Sequence, residues 1–160
     1  KSSFMFNPNM YSGFLEVKKW VIDISNFEYT KYRDVHQVLN PNYADLRREI
    51  MCFNDEIKWD GMWTHYDAIE RLSKGWILIG LFVNYQIKGW VWLDTNKKLL
   101  CNLYVNKSYR NFYNAKKLVL TLMGVAHEMG FGELYAESDT WNDRSELIAI
   151  KTGWKLQNEH

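Results

Sequence analysis

The stretch that decides the fold runs Leu103-Tyr-Val-Asn-Lys-Ser-Tyr-Arg110-Asn-Phe-Tyr-Asn-Ala115-Lys-Lys-Leu118. Its first residues close an apolar strand over 99–105, and Asn106 to Asn111 make a polar, basic turn. From Phe112 the apolar period changes. Ala115, Leu118, Val119, Leu122, Ala126 and Met129 recur at helical spacing, a core-facing stripe that Gly130 and Gly132 end. The first-turn amides of such a helix lack intrahelical acceptors and carry partial positive charge. A terminus of this kind binds phosphate, and Arg110, Lys116 and Lys117 stand beside it.

Upstream, residues 76–83 are nearly all apolar, as in a strand buried on both faces. Asn84-Tyr85-Gln86 connects tightly to a strand over 87–94, and Thr95-Asn96-Lys97 turns into 99–105. Three strands joined by loops this short must be antiparallel neighbours. Downstream, residues 133–138 form a strand that the long helix can join in parallel through a right-handed crossover. A last helix opens at Asn142-Asp143, with Asn142 as its N-cap and Leu147, Ile148 and Ile150 apolar. It stops at Gly153 and leaves only 154–160 for a final strand.

The N-terminal part reads as an extended segment over 14–24, then a short helix over 30–39 ended by Asn40-Pro41. A helix follows over 42–53, with Leu46, Ile50 and Phe53 on one face. Another follows Asp60-Gly61, where Met62, Trp63, Tyr66 and Ile69 recur at helical spacing. The expected class is α+β: one domain over 1–160, with a mixed, mostly antiparallel sheet flanked by helices.

Bulk properties exclude several functions. The 160 residues are 47% hydrophobic and 16% aromatic, far too apolar for a disordered chain. No run approaches the roughly 18 apolar residues of a membrane span. Twenty basic and 19 acidic residues give a net charge of +1, so no global field draws the chain to nucleic acid. Cys52 and Cys101 match neither a metal spacing nor a disulfide framework, so a reducing, cytoplasmic setting and no metal are expected.

In the quoted stretch the sequence resembles the GCN5-related N-acetyltransferase (GNAT) superfamily. In that family a strand with an apolar-x-Val end leads into an Arg/Gln-x-x-Gly-x-Gly/Ala loop. Leu103 and Val105 match the strand, Tyr109-Arg110 a common Tyr-Arg pair, Ala115 the last loop position and Leu118 the first helix anchor. A second block, Asn142-Asp-Arg-Ser145 through Gly153-Trp154, is similar to the family's Asn-x-x-Ala/Ser helix closing on Gly-Phe. The resemblance covers 75–154 and implies a coenzyme-binding core there, a splayed strand pair, and an acceptor side within 1–74. It implies acetyl-coenzyme A as co-substrate, held by Leu103, Val105, Arg110, Asn111, Phe112, Tyr113, Asn114, Ala115 and Asn142.

Three positions depart from the family pattern. Tyr113 stands where the loop's first Gly belongs, and Ala149 where many members carry the Tyr that reprotonates the coenzyme thiolate. The family's terminal two-strand hairpin has only six residues left after Trp154. Another segment or a partner subunit completes the sheet, or its edge stays open, and an open edge favours a homodimer.

Amine acylation needs a proton acceptor, and Glu137 and Asp139, at the end of the later strand, are the candidates. Tyr104, Tyr109 or Tyr113 could stand in for the missing acid, and Tyr104 is the catalytic candidate among them. Alternation puts Cys101 on the face of Leu103 and Val105, as a small core residue, and His127 reads as a structural histidine. Trp59, Trp63, Trp90 and Trp92 come in pairs that could line an acceptor pocket or fill a core. The leading expectation is an acetyl-coenzyme A-dependent N-acyltransferase acting on an amine of a small molecule, peptide or modified nucleobase. The alternative is an interaction module that keeps the fold and has lost the chemistry.

Overall fold

A computed structural model of the chain describes residues 17–57, 63–139 and 142–157. The apolar run and its two tight turns fold as their pattern requires. β3 (Ile77–Val83), β4 (Gln86–Asp94) and β5 (Leu99–Val105) form an antiparallel meander. Asn84 and Tyr85 both take positive φ, 51° and 67°, as a two-residue hairpin loop demands. α3 (Phe112–Glu128) then crosses to β6 (Glu133–Asp139), which lies parallel to β5. Around these sit β1 (Val17–Asp23), β2 (Val35–Gln37), α1 (Tyr43–Ile57), α2 (His65–Ser73), α4 (Asp143–Lys151) and β7 (Lys155–Leu156). The strands make one mixed, mostly antiparallel sheet in the order β2-β3-β4-β5-β6-β1-β7.

Two apolar clusters flank the sheet, giving three layers. On one face Ile79, Val91, Leu103 and Val105 meet Leu118, Val119 and Leu122 of α3 and Ile148 and Ala149 of α4. On the other Leu78, Trp90, Trp92 and Tyr104 meet Leu46, Ile50 and Phe53 of α1 and Ala68 of α2. Leu46, Ile50 and Phe53 are buried as their spacing predicts. Every residue of the α3 stripe is buried except Met129, which caps the helix end.

The sheet closes at its far end in a way the order of segments hides. β1 is the first strand in the chain, yet it lies between β6 and β7, pairing antiparallel with both. Its register against β6 is continuous from Val17↔Asp139 to Asp23↔Glu133. The place beyond β6 in the sheet is therefore filled by the first strand of the same chain.

Three expectations are corrected. The helix expected over 30–39 is instead a loop leading into β2. Phe82 N donates to Asp34 O at 2.8 Å and Val38 N to Leu78 O at 2.9 Å, while Lys117 Nζ holds the Asp34 carboxylate at 2.6 Å. These long-range partners outweigh a weak local helix preference. α2 starts at His65, capped by Thr64 and Asp67, and turns Tyr66 (68% exposed) and Ile69 (39%) to solvent, with Ala68 inward. Met62, part of the expected helix face, lies outside the described residues.

The third correction concerns Cys101. β5 pairs Trp92↔Cys101 but Trp90↔Tyr104, so it carries one extra residue, and Asn102 takes φ 57° there. This β-bulge flips the alternation. Cys101 faces α1 and α2 with Tyr104, whereas Leu103 and Val105 face α3. Burial pushes the Cys101 thiol up to about 12, so it stays an inert core group.

Candidate functional site

β5 and β6 are paired only at Leu99↔Tyr135 and Leu100↔Ala136, and beyond these the two parallel strands separate. Asn106 N donates to Lys88 O of β4 at 2.7 Å. By the two-residue period of an antiparallel ladder, the Tyr104 amide also faces β4. The amide of Val105 then faces the opening toward β6. Among the described residues no strand lies opposite it.

At its end the strand runs into the quoted turn. Asn106 Oδ1 accepts from Ser108 N at 2.9 Å, shaping a single 3-10 turn over Lys107–Tyr109. Asn111 is the N-cap of α3, its Oδ1 accepting from Asn114 N at 2.7 Å. Asn114 Nδ2 in turn donates to Tyr109 O at 2.8 Å. The amides of Phe112 and Tyr113, at the first two helical positions, remain without intrahelical acceptors.

Phe112 borders a groove of about 440 Å³ between the start of α3 and α4. Arg110, Asn111, Phe112 and Ala115 line one side, with Lys107; Arg144, Leu147 and Ile148 line the other. Tyr113 does not line it. Its ring lies under Lys117 Nζ, 4.9 Å from the ring centroid, so its side chain leaves the groove to the backbone. Lys117 is itself buried against Asp34 and contributes no charge to the groove.

The Arg110 guanidinium is already engaged. It forms a bidentate pair with Glu56 of α1, at 2.6 and 2.8 Å, and donates to Val105 O from Nε at 2.8 Å. Its work is to tie α1 to the end of β5. Lys107 and Arg144 line the groove, and among the described residues neither is in an ion pair. Asn142 caps α4 through Ser145 N at 3.2 Å, beside the groove's far wall. Leu103 and Val105 are buried in the α3-side core and contribute backbone only.

On the other side of the Arg110–Glu56 pair lies a second cavity, of about 320 Å³, walled by Cys52, Asp55 and Glu56 of α1, Tyr104, and Asn106 to Ser108. Tyr104 Oη donates to Glu49 at 2.7 Å. Burial, and then this bond, push its phenol well above the usual tyrosine range. Glu137 stands on β6 one residue beyond the last pair with β5, half-buried and opposite Lys19 in register. Asp139 is the last residue of that strand.

The tryptophans divide. Trp59 lies outside the described residues. Trp90 and Trp92 are 1% exposed and fill the core beneath α1 and α2. Trp63 stacks on Trp90 with centroids 6.4 Å apart, and the Arg71 guanidinium sits over Trp63, Trp76 and Trp92 at 4.2, 4.5 and 5.2 Å. His127 Nδ1 bonds the Ile24 carbonyl at 2.8 Å, a structural tie between α3 and the segment after β1. Ala149, where a proton-donating Tyr would stand, is fully buried against the sheet.

The sequence reading missed Lys107, Arg144, Leu147 and Glu49. Lys107 was visible as a basic residue in the turn. Arg144 and Leu147 come from 30 or more positions downstream, and only the fold brings them to α3. Glu49 looked like any solvated helix acid, because its partners lie on β4 and β5. Among the described residues no cluster of His, Cys, Asp or Glu could hold a metal ion, and no helix is long and apolar enough to cross a membrane.

No protein-family model and no curated protein matches the chain. Solved structures do. An acetyltransferase of the GNAT family from Colwellia psychrerythraea superposes with a TM-score of 0.64 at 12% identity, over 91% of this chain and 55% of its own. A GCN5-related N-acetyltransferase from Sphaerobacter thermophilus gives 0.64 at 12%, over 88% and 48%. A functionally unknown conserved protein from Staphylococcus epidermidis gives 0.56 at 13%, over 88% and 57%. The chain thus has the GNAT fold and spans about half the length of these structures.

Proposed function

We propose that the chain is an acyl-coenzyme A-dependent N-acyltransferase that moves an acetyl group from acetyl-coenzyme A to a primary amine of a small molecule, peptide or modified nucleobase. The observation that carries this reading is the parting of β5 and β6 directly beside the capped N-terminus of α3. The start of α3 at Phe112, with Lys107 and Arg144, suits the coenzyme's phosphates. Leu147 and Phe112 offer apolar surface along the same groove. The amide of Val105, turned to the opening, suits the thioester carbonyl, whose oxygen gains charge as the amine adds.

A second reading, an interaction module without transfer, is favoured by the engagement of Arg110 with Glu56 and by Ala149 in the core. The two readings differ in coenzyme affinity. Lys107→Glu and Arg144→Glu are each expected to weaken acetyl-coenzyme A binding about tenfold, about 1.4 kcal/mol, with thermal stability unchanged. Calorimetric titration of the variants checks this. Unaltered affinity in both would place the phosphates elsewhere.

A further inference from the structure

Glu49 is the most buried acid among the described residues, and it stands outside the coenzyme groove. It projects from α1 at 2% exposure. Tyr104 Oη donates to its Oε2 at 2.7 Å, Asn106 Nδ2 donates to the same oxygen at 2.8 Å, and Lys88 Nζ lies 3.6 Å from Oε1. A carboxylate out of water requires such partners. Tyr104 lines the 320 Å³ cavity between α1 and the turn after β5, so Glu49 is one hydrogen bond removed from that space. Lys107 borders both this cavity and the coenzyme groove, and the Arg110–Glu56 pair stands between them.

We propose that this cavity receives the amine acceptor and that Tyr104 and Glu49 relay its proton away; the proposal rests on the transferase reading above. A primary alkylammonium titrates near the lysine value of about 10.4, so roughly one molecule in a thousand is neutral at pH 7.4. The ammonium gives a proton to Tyr104 Oη as the phenol's own proton passes to Glu49 Oε2. The amine is then neutral, the phenol is unchanged and Glu49 is a carboxylic acid, so its charge pairing with Lys88 is given up until the proton leaves. The amine lone pair forms the C–N bond at the thioester carbon, and the C–S bond breaks with its electron pair going to sulfur. The proton shed as the amide forms leaves on the coenzyme thiol, and Glu49 returns its own to solvent.

The geometry suits a relay better than an acid. Tyr104 gives its hydrogen to a carboxylate and keeps oxygen lone pairs that can accept another. A phenolate there would face Glu49 directly. The charged or titratable groups around Glu49 are Lys88 from β4, Tyr104 from β5, and Cys52 and Glu56 from α1, the last paired with Arg110. Of the wall's carboxylates Glu56 is answered by Arg110, and Asp55 is left to attract a cationic guest against the charge of Lys107.

The test follows thiol release from acetyl-coenzyme A with ethylamine and with 2,2,2-trifluoroethylamine, whose fluorines leave it largely neutral at pH 7.5. Tyr104→Phe keeps the ring against Phe53 and Trp90, at 5.1 and 4.6 Å, and so should fold. In it and in Glu49→Gln, kcat with ethylamine should fall about a hundredfold. Acetyl-coenzyme A affinity should be unchanged, and the loss should shrink to severalfold with trifluoroethylamine. An equal loss with both amines would assign a structural role and overturn the relay. Undiminished turnover in Tyr104→Phe would overturn it too, leaving Glu137 as the base. Coenzyme binding by the unmodified chain without turnover of either amine would overturn the acceptor site alone. Absence of coenzyme binding would overturn the transferase reading itself.

Discussion

Replacing Trp20 by Ala is expected to cost about 3–5 kcal/mol, a large part of the 5–15 kcal/mol that holds most domains folded. Trp20 is the centre of β1, 2% exposed, in the cluster that joins α3 and α4 to the sheet. Its indole Nε1 donates to Ser138 Oγ of β6 at 2.8 Å, and Ser138 is wholly buried. Truncation therefore leaves both a cavity and a hydroxyl without its partner. β7 pairs only with β1, at Trp20↔Leu156 and Val21↔Lys155, so the far edge of the sheet loosens as well. Denaturant unfolding followed by tryptophan fluorescence measures the loss. A cost under about 1 kcal/mol would mean that the first strand is peripheral, against its place between β6 and β7.

Phe112→Asp is expected to separate binding from stability. Phe112 is the first residue of α3, partly exposed, and lines the groove between α3 and α4. A carboxylate at that position interacts favourably with the helix N-terminus, by about 0.3–1 kcal/mol, so the fold should hold or gain slightly. The same charge opposes phosphates bound there. At a separation of roughly 6 Å and an effective dielectric near 20, the repulsion is about 3 kcal/mol, or about two orders of magnitude in affinity. Arg110→Glu is the less informative change. It would set a second carboxylate beside Glu56 and unfasten the α1–β5 tie, so lost binding could follow from lost structure. Calorimetry and thermal unfolding on the same Phe112→Asp preparation give both readings. Undiminished affinity would remove the α3 terminus from the binding site.

The central part of this fold was legible because its signals are local and mutually consistent. The run over 76–105 has the composition of buried strands, and the α3 stripe has a clean helical period ended by glycine. The splayed strand pair followed from the resemblance carried by Leu103, Val105, Arg110 and Ala115, and the structure has it. What escaped was set by distant partners. β2 looked helical because its strand ladder is supplied by β3, more than 40 residues later in the chain. The position of β1 could not be read from its own residues, since only the space left beside β6 selects it. Asn102 was the one local hint missed: an Asn inside an apolar strand marks a residue that tolerates positive φ, and here it reverses which face Cys101 occupies.

The same distinction holds at the site. The turn and helix cap of 106–115 declare themselves in sequence through Asn106 and Asn111, whose side chains fold back on nearby amides. Arg110 also stood out, but its engagement with Glu56 is a tertiary fact that no spacing announces. Arg144, Leu147 and Glu49 became candidates only once α4 and α1 were placed against the strand ends.

The claim at the centre of the account is that the groove between α3 and α4 holds acetyl-coenzyme A. Isothermal titration of the chain with acetyl-coenzyme A, repeated with coenzyme A in competition, tests it most directly. One site per chain is expected, with micromolar affinity, shared by both ligands and weakened by Phe112→Asp. No heat and no thermal stabilisation at millimolar ligand would contradict it.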